Sequence, residues 1–183
     1  MAANETNQNN EPPSAGRVAL LSAPALRERL QEEINRAGRH GTPLSCLLVT
    51  VGNLEALARD HGEELSEQTL AYVGAALRPQ LRGFDRVGRP SESELLILLP
   101  GADGPRGEIV ARRALERLRT IKVEADGERR PLEISVGLAT WRSELSDEDL
   151  LRQARVAARP THSNALPSLA AASPPALGRP GPS

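Results

Sequence analysis

Arg82 and Asp85 stand three residues apart in the run Arg82-Gly83-Phe84-Asp85. A guanidinium can fork onto paired acceptors or neutralise a phosphate, and a carboxylate can accept from N–H donors. Together they suit a polar, phosphate-bearing ligand. As an ordinary surface ion pair at a helix-to-strand junction they would add little stability. Downstream, Pro90-Ser91-Glu92-Ser93-Glu94 forms a turn before the apolar run Leu95–Leu99. Its side chains give the hydroxyls of Ser91 and Ser93 and the carboxylates of Glu92 and Glu94. Glu144, Asp147, Glu148 and Asp149 cluster at a helix start, where they complement the dipole rather than hold a metal.

Other chemistries are poorly provided for. Cys46 is the single cysteine, so no intramolecular disulfide or cysteine-based metal cluster is possible. It lies in an apolar run and reads as a small core residue. His40, His61 and His162 are scattered and lack metal-ligand spacing. No cofactor is therefore expected. The formal net charge of −1 gives no bulk attraction to nucleic acid. Aromatic residues are 2% of the chain, too few for a base-stacking platform. Of 23 basic residues only Lys122 is a lysine, so arginine is common everywhere and a single arginine is weak evidence for a phosphate site. The N-terminus has no apolar signal segment, and no run reaches the ~18 apolar residues of a membrane span. A cytoplasmic protein with no membrane insertion is expected.

At 183 residues the chain has room for one domain and two tails. Residues 1–17 are polar and lack an apolar pattern, so a disordered N-terminal tail is expected. Residues 161–183 read as a Pro/Ala-rich disordered C-terminal tail, which begins about Pro160 and includes Pro167, Pro174, Pro175, Pro180 and Pro182. The segment 18–160 carries the periodicities of a folded domain.

Leu26, Leu30 and Ile34 recur at helical spacing and predict a helix over about 23–39, ending near Gly41. Leu44–Val51 is a nearly continuous apolar run, typical of a strand buried on both faces. Asn53 is placed to cap a short helix ending at Gly62, and Leu70, Val73, Leu77 and Leu81 mark a second helix from about Ser66. Arg82–Arg89 and Glu94–Leu99 read as strands joined by a Pro90–Ser93 turn. Ile109, Leu115 and Leu118 mark a long helix, followed by a short strand at Thr120–Glu124. Asp126-Gly127 predicts a turn into the strand Leu132–Thr140. Ser146 with Asp149 predicts a capping box opening a last helix to about Arg159. The major elements follow the order α-β-α-α-β-β-α-β-α. That order predicts an α/β (α+β) sandwich, a ferredoxin-like or nucleotide-cyclase-like sheet covered by helices.

With its elements in this order, the chain resembles a GGDEF domain, the diguanylate cyclase family, whose members join two GTP molecules into cyclic di-GMP. Arg36–Leu44 resembles the family's helix-to-strand passage, and Leu54–Gly62 the helix after its first strand. Ile134-Ser135-Val136-Gly137-Leu138-Ala139 is similar to its Ser-Ile-Gly-Val-Ala strand. The resemblance covers roughly 23–159.

At the positions where that resemblance implies catalysis, the residue types have changed. A metal-binding Asp falls on Thr50 and the next Asp on Gly52; a phosphate-contacting Lys falls on Glu55. The guanine-holding Asn falls on Ala58, and the Asp that also reads guanine falls near Glu67. The signature itself reads Ser91, Glu92, Ser93, Glu94 and Leu95, and only Glu94 keeps a family type. Magnesium needs hard oxygen ligands, whereas Thr50 and Ser93 offer neutral hydroxyls. Ser91 and Glu92 add Cβ atoms where glycines would admit the nucleotide. The resemblance thus implies a degenerate, catalytically inactive domain with no catalytic residues and no metal site. The family's closing helix is interrupted at Pro160, and no final strand is recognisable.

Arg82 and Asp85 coincide with the family's Arg-x-x-Asp motif, which binds the product cyclic di-GMP. An arginine can fork to guanine O6 and N7, and a carboxylate can accept from N1–H and N2–H. The family adds an arginine from the next helix, and either Arg113 or Arg117 fits that place. The function implied is a regulatory or protein-interaction domain with cyclic di-GMP as candidate ligand. Its candidate protein partners are another signalling protein or a second copy. The alternatives are a partner-binding module without nucleotide and a residual cyclase.

Overall fold

In the computed structural model, residues 20–158 and 169–171 are described. The expected N-terminal tail and most of the expected C-terminal one lie outside them. Helix α1 (Ala23–His40) leads into strand β1 (Leu44–Val51), followed by α2 (Leu54–His61) and α3 (Glu63–Leu77). A 3-10 turn over Arg78–Gln80 precedes β2 (Arg86–Ser91) and β3 (Glu94–Pro100). Then come α4 (Gly104–Leu118), the short strands β4 (Lys122–Ala125) and β5 (Glu128–Pro131), β6 (Ile134–Thr140), α5 (Asp147–Ala158) and β7 (Leu169–Ala171).

Five strands form one sheet in the order β2-β3-β1-β6-β7. β1 lies at its centre, antiparallel to β3 and β6. Alternation along β1 sends its side chains to both faces. Leu47, Val49 and Val51 join Leu95, Ile97, Leu99, Val136 and Leu138 beneath α2, α3 and α4. Cys46 and Leu48 join Leu96, Leu98 and Ala139 beneath α1 and α5. The apolar run read as a doubly buried strand is one, and the α/β sandwich is the observed architecture.

Local chemistry sets the boundaries. Gly41 takes φ +62° at the end of α1 and closes that helix. Asp126 and Gly127 both take positive φ, 53° and 76°, and turn β4 into β5. The Ser146–Asp149 capping box is formed: the Asp149 N–H donates to Ser146 Oγ at 3.1 Å and the Ser146 N–H to Asp149 Oδ2 at 3.3 Å. Gly137 is required by packing, because a Cβ there would lie 2.1 Å from the Ala154 carbonyl oxygen on α5.

Several boundaries differ from the sequence reading: α3 begins at Glu63 rather than about Ser66 and ends at Leu77, short of Leu81, and β4 is shifted to Lys122–Ala125. The strand expected at Arg82–Arg89 starts at Arg86, because residues 82–85 close a turn of their own. It then runs through Pro90 to Ser91, with a register shift between Gly88 and Ser91 that accommodates the proline. The strand expected over Leu132–Thr140 begins at Ile134, and the short strand β5 before it, paired with β4, was not expected. Leu169–Ala171, assigned to the tail by composition, pairs parallel with β6. Three small and apolar residues among prolines carry no strand periodicity of their own.

Candidate functional site

The β2–β3 turn, the start of α2 and the first turns of α3 enclose a cleft of about 440 Å³. Its lining includes Glu55, Glu63, Glu67 and Glu92, with Ala58, Ser66, Ser93 and one cation, Arg59. Glu67 is held by Arg89, which donates from Nη1 at 2.6 Å and from Nη2 at 2.9 Å. This hydrogen bonding, helped by the Arg89 charge, keeps the Glu67 carboxyl below the ordinary carboxylate range against an opposing effect of burial. The cleft is thus predominantly acidic and repels a triphosphate.

Glu94 does not line this cleft. Along β3 it is in phase with Leu96 and Leu98, which pack toward α1 and α5. There its carboxylate accepts from Arg155 on α5, Nε to Oε1 at 3.0 Å and Nη2 to Oε2 at 2.8 Å. Ser91 Oγ also donates to Oε2 at 2.9 Å. The Glu94 side chain is 13% exposed, so both its oxygens are engaged in a largely covered ion pair. Beside it in register is Thr50, which pairs Glu94 on one side and Ser135 on the other. The strand ends therefore present hydroxyls around one carboxylate that is already neutralised. Among the described residues no three His, Cys, Asp or Glu side chains converge on a common point where a metal ion could be held. These hydroxyls and the one paired carboxylate do not fit the magnesium that the family's reaction uses.

The Arg82–Asp85 segment is a closed turn. The Arg82 N–H donates to Asp85 Oδ2 at 2.7 Å, and the Asp85 N–H donates to the Arg82 carbonyl at 3.2 Å. Arg86 Nη1 donates to the carbonyls of Gly83 and Asp85 at 2.9 and 3.0 Å. Asp85 is buried, 5% exposed. Burial pushes its carboxyl above the ordinary value, opposed by the Arg82 N–H and the nearby guanidiniums of Arg82, Arg86 and Arg78. Arg82 is exposed, and its guanidinium carbon lies 5.9 Å from the centre of the exposed Phe84 ring.

Of the residues singled out by sequence, Arg82 and Asp85 are thus adjacent, but the carboxylate serves the turn. The cations around it are Arg78 and Arg86 rather than either α4 arginine. Arg113 is an exposed α4 residue, and Arg117 lines a different depression beside Tyr72 and the β4–β5 hairpin. Sequence reasoning missed Arg89 and Arg155. Arg89 stands two residues from the buried Val87 and in phase with it, a pattern that points it toward α3; Arg155, 61 residues beyond Glu94, left no local signal.

The family model for "Diguanylate cyclase, GGDEF domain" matches residues 19–164. The chain belongs to the GGDEF family. This GGDEF domain is 29% identical over 134 residues to the diguanylate cyclase DosC of Escherichia coli K12, covering 73% of the chain and 29% of DosC. It therefore spans less than a third of that relative's length. Its fold matches the GGDEF domain of PA1120 (YfiN or TpbB) from Pseudomonas aeruginosa with TM-score 0.74 and 22% identity, covering 86% of the chain and 99% of that structure. It also matches the diguanylate cyclase SiaD from Pseudomonas aeruginosa, solved in complex with its activator SiaC. That TM-score is 0.69 at 26% identity, covering 76% of the chain and 54% of SiaD. No helix among the described residues is long and apolar enough to cross a membrane.

Proposed function

We propose that this GGDEF domain is catalytically inactive and acts as a regulatory, protein-binding module in cyclic di-GMP signalling. The single observation that carries this reading is the engagement of Glu94 by Arg155 on the sheet face opposite the glutamate-lined cleft. The one signature residue of family type is consumed in an ion pair, and the cleft repels the substrate it would need. The SiaD–SiaC complex supports the protein-binding half, as a domain of this fold in a protein that engages a protein partner. Incubation of the full chain with GTP and Mg²⁺ or Mn²⁺, with product resolved by chromatography, tests inactivity. Co-purification of a stoichiometric partner from cells tests the module role.

A second reading, recognition of cyclic di-GMP at the Arg82 turn, is favoured by a specific observation. Arg82 is exposed, forms no ion pair among the described residues and lies over Phe84. In this reading the Arg82 guanidinium and the Phe84 ring meet the ligand, and Asp85 keeps the turn in shape. Calorimetric titration with cyclic di-GMP tests it. Loss of binding in Arg82→Ala supports it, and equal binding by that variant rejects it.

A further inference from the structure

Helix α3, the last turn of α4 and the β4–β5 hairpin enclose a polar depression on the surface. It is lined by Tyr72, Arg117, Thr120, Lys122, Glu124 and Arg129, together with Ile121. Its volume is about 340 Å³, within the ~300–1,000 Å³ range of small-molecule sites. We propose that this depression binds a nucleoside phosphate, with the phosphates on Arg117, Lys122 and Arg129 and the base against Tyr72.

Charge is the first argument. Three cations from three elements converge on one depression, in a chain whose formal net charge is −1. None of the three forms an ion pair among the described residues. Other arginines, by contrast, sit on a carboxylate, as Arg89 does on Glu67 and Arg155 on Glu94. The one acid in the lining, Glu124, lies directly across the hairpin from Arg129 and forms no ion pair with it. An anion entering here meets guanidinium forks and an ammonium whose hydrogen-bonding capacity no carboxylate takes up.

The second argument is Tyr72. It is the only tyrosine of the chain, on a molecule with 2% aromatic residues, and it is 55% exposed on this rim. A large ring left in solvent beside three cations supplies a flat apolar face on which a base can stack. Thr120 donates its hydroxyl to the Arg117 carbonyl at 2.8 Å, which ties the end of α4 and keeps Arg117 at the rim. The depression shares no lining residue with the acidic cleft or with the Arg82 turn. The proposal therefore stands apart from catalysis and from cyclic di-GMP recognition at Arg82.

The test is titration of isotope-labelled full-length protein with ADP, GDP and sodium pyrophosphate, followed by amide NMR shifts. ADP and GDP should shift Tyr72 and the amides of 120–130, both more tightly than pyrophosphate. Arg129→Ala, at an exposed hairpin position, should weaken nucleotide and pyrophosphate alike by about tenfold or more, as loss of a charge-assisted contact does. Tyr72→Ala should reduce the nucleotides to the affinity of pyrophosphate and leave pyrophosphate unchanged. Arg82→Ala should bind as wild type. The proposal is overturned by an absence of shifts at millimolar nucleotide, by shifts confined to the Arg82 turn, by pyrophosphate binding as tightly as nucleotide, or by an Arg129→Ala variant that binds normally.

Discussion

Arg155 on α5 and Glu94 on β3 are joined by two parallel contacts of 3.0 and 2.8 Å, on the face of the sheet away from the cleft. The pair fastens the α5 helix to the signature hairpin. It also takes up both oxygens of the one signature acid that keeps a family type. The carboxylate's direction, fixed by strand alternation, matters more than its presence.

Arg155→Ala leaves Glu94, 13% exposed, with Ser91 as its remaining side-chain partner. The expected loss is about 1 kcal/mol of stability, because the arginine side is still substantially solvated. Urea unfolding monitored by circular dichroism checks this. A midpoint identical to wild type would show that the pair contributes nothing.

Gly137→Ala is expected to be far more damaging. Its Cβ would meet the Ala154 carbonyl oxygen at 2.1 Å and the Ala158 nitrogen at 2.4 Å, both backbone atoms that cannot swing aside. A destabilisation of roughly 3 kcal/mol or a failure to fold is expected, at the high end of overpacking. Gly88→Ala should do less harm, since the nearest atoms belong to the Leu26 side chain at 2.8–2.9 Å. Comparing the two melting temperatures decides the order.

Asp85 gives a pH signature. Burial raises its carboxyl above the ordinary 3.8 in the folded protein. Between 3.8 and the folded value, the native state holds a proton that the unfolded chain has released. This contribution to stability is fully present below 3.8 and is lost as pH rises through the folded value. Asp85→Asn cannot ionise but can still accept from the Arg82 N–H. Wild-type stability relative to Asp85→Asn should therefore fall on going from pH 3 upward, then level off. Denaturation midpoints across pH measure it, and a difference that rises with pH contradicts the assignment.

Asn53 shows where reading by local sequence stopped. Its position before a helix suggests a cap, but no cap bond forms. Instead Nδ2 donates to the Pro131 carbonyl at 3.1 Å and Oδ1 accepts from the Glu133 N–H at 3.0 Å. Asn53→Ala should cost about 1–2 kcal/mol through these two lost bonds, and Asn53→Asp, which keeps the acceptor alone, about half. Thermal unfolding of both variants checks the ranking.

The fold was legible because its elements carry strong local periodicity. Leu44–Val51 and Leu95–Leu99 announce buried strands, and Ser146 with Asp149 announces the start of α5. The site was legible only in residue type. Turning Glu94 toward Arg155, drawing Asp85 inward to close a turn and freeing Tyr72 beside Arg129 are long-range consequences of packing. Pairs separated by 61 residues, such as Glu94 and Arg155, leave no mark within a sequence window.

The central claim, a GGDEF domain that does not catalyse, is tested most directly by measuring cyclic di-GMP formed from GTP by purified full-length protein with Mg²⁺ or Mn²⁺. The expected result is no product above a protein-free control over prolonged incubation. Formation of cyclic di-GMP in proportion to time and protein concentration would contradict it.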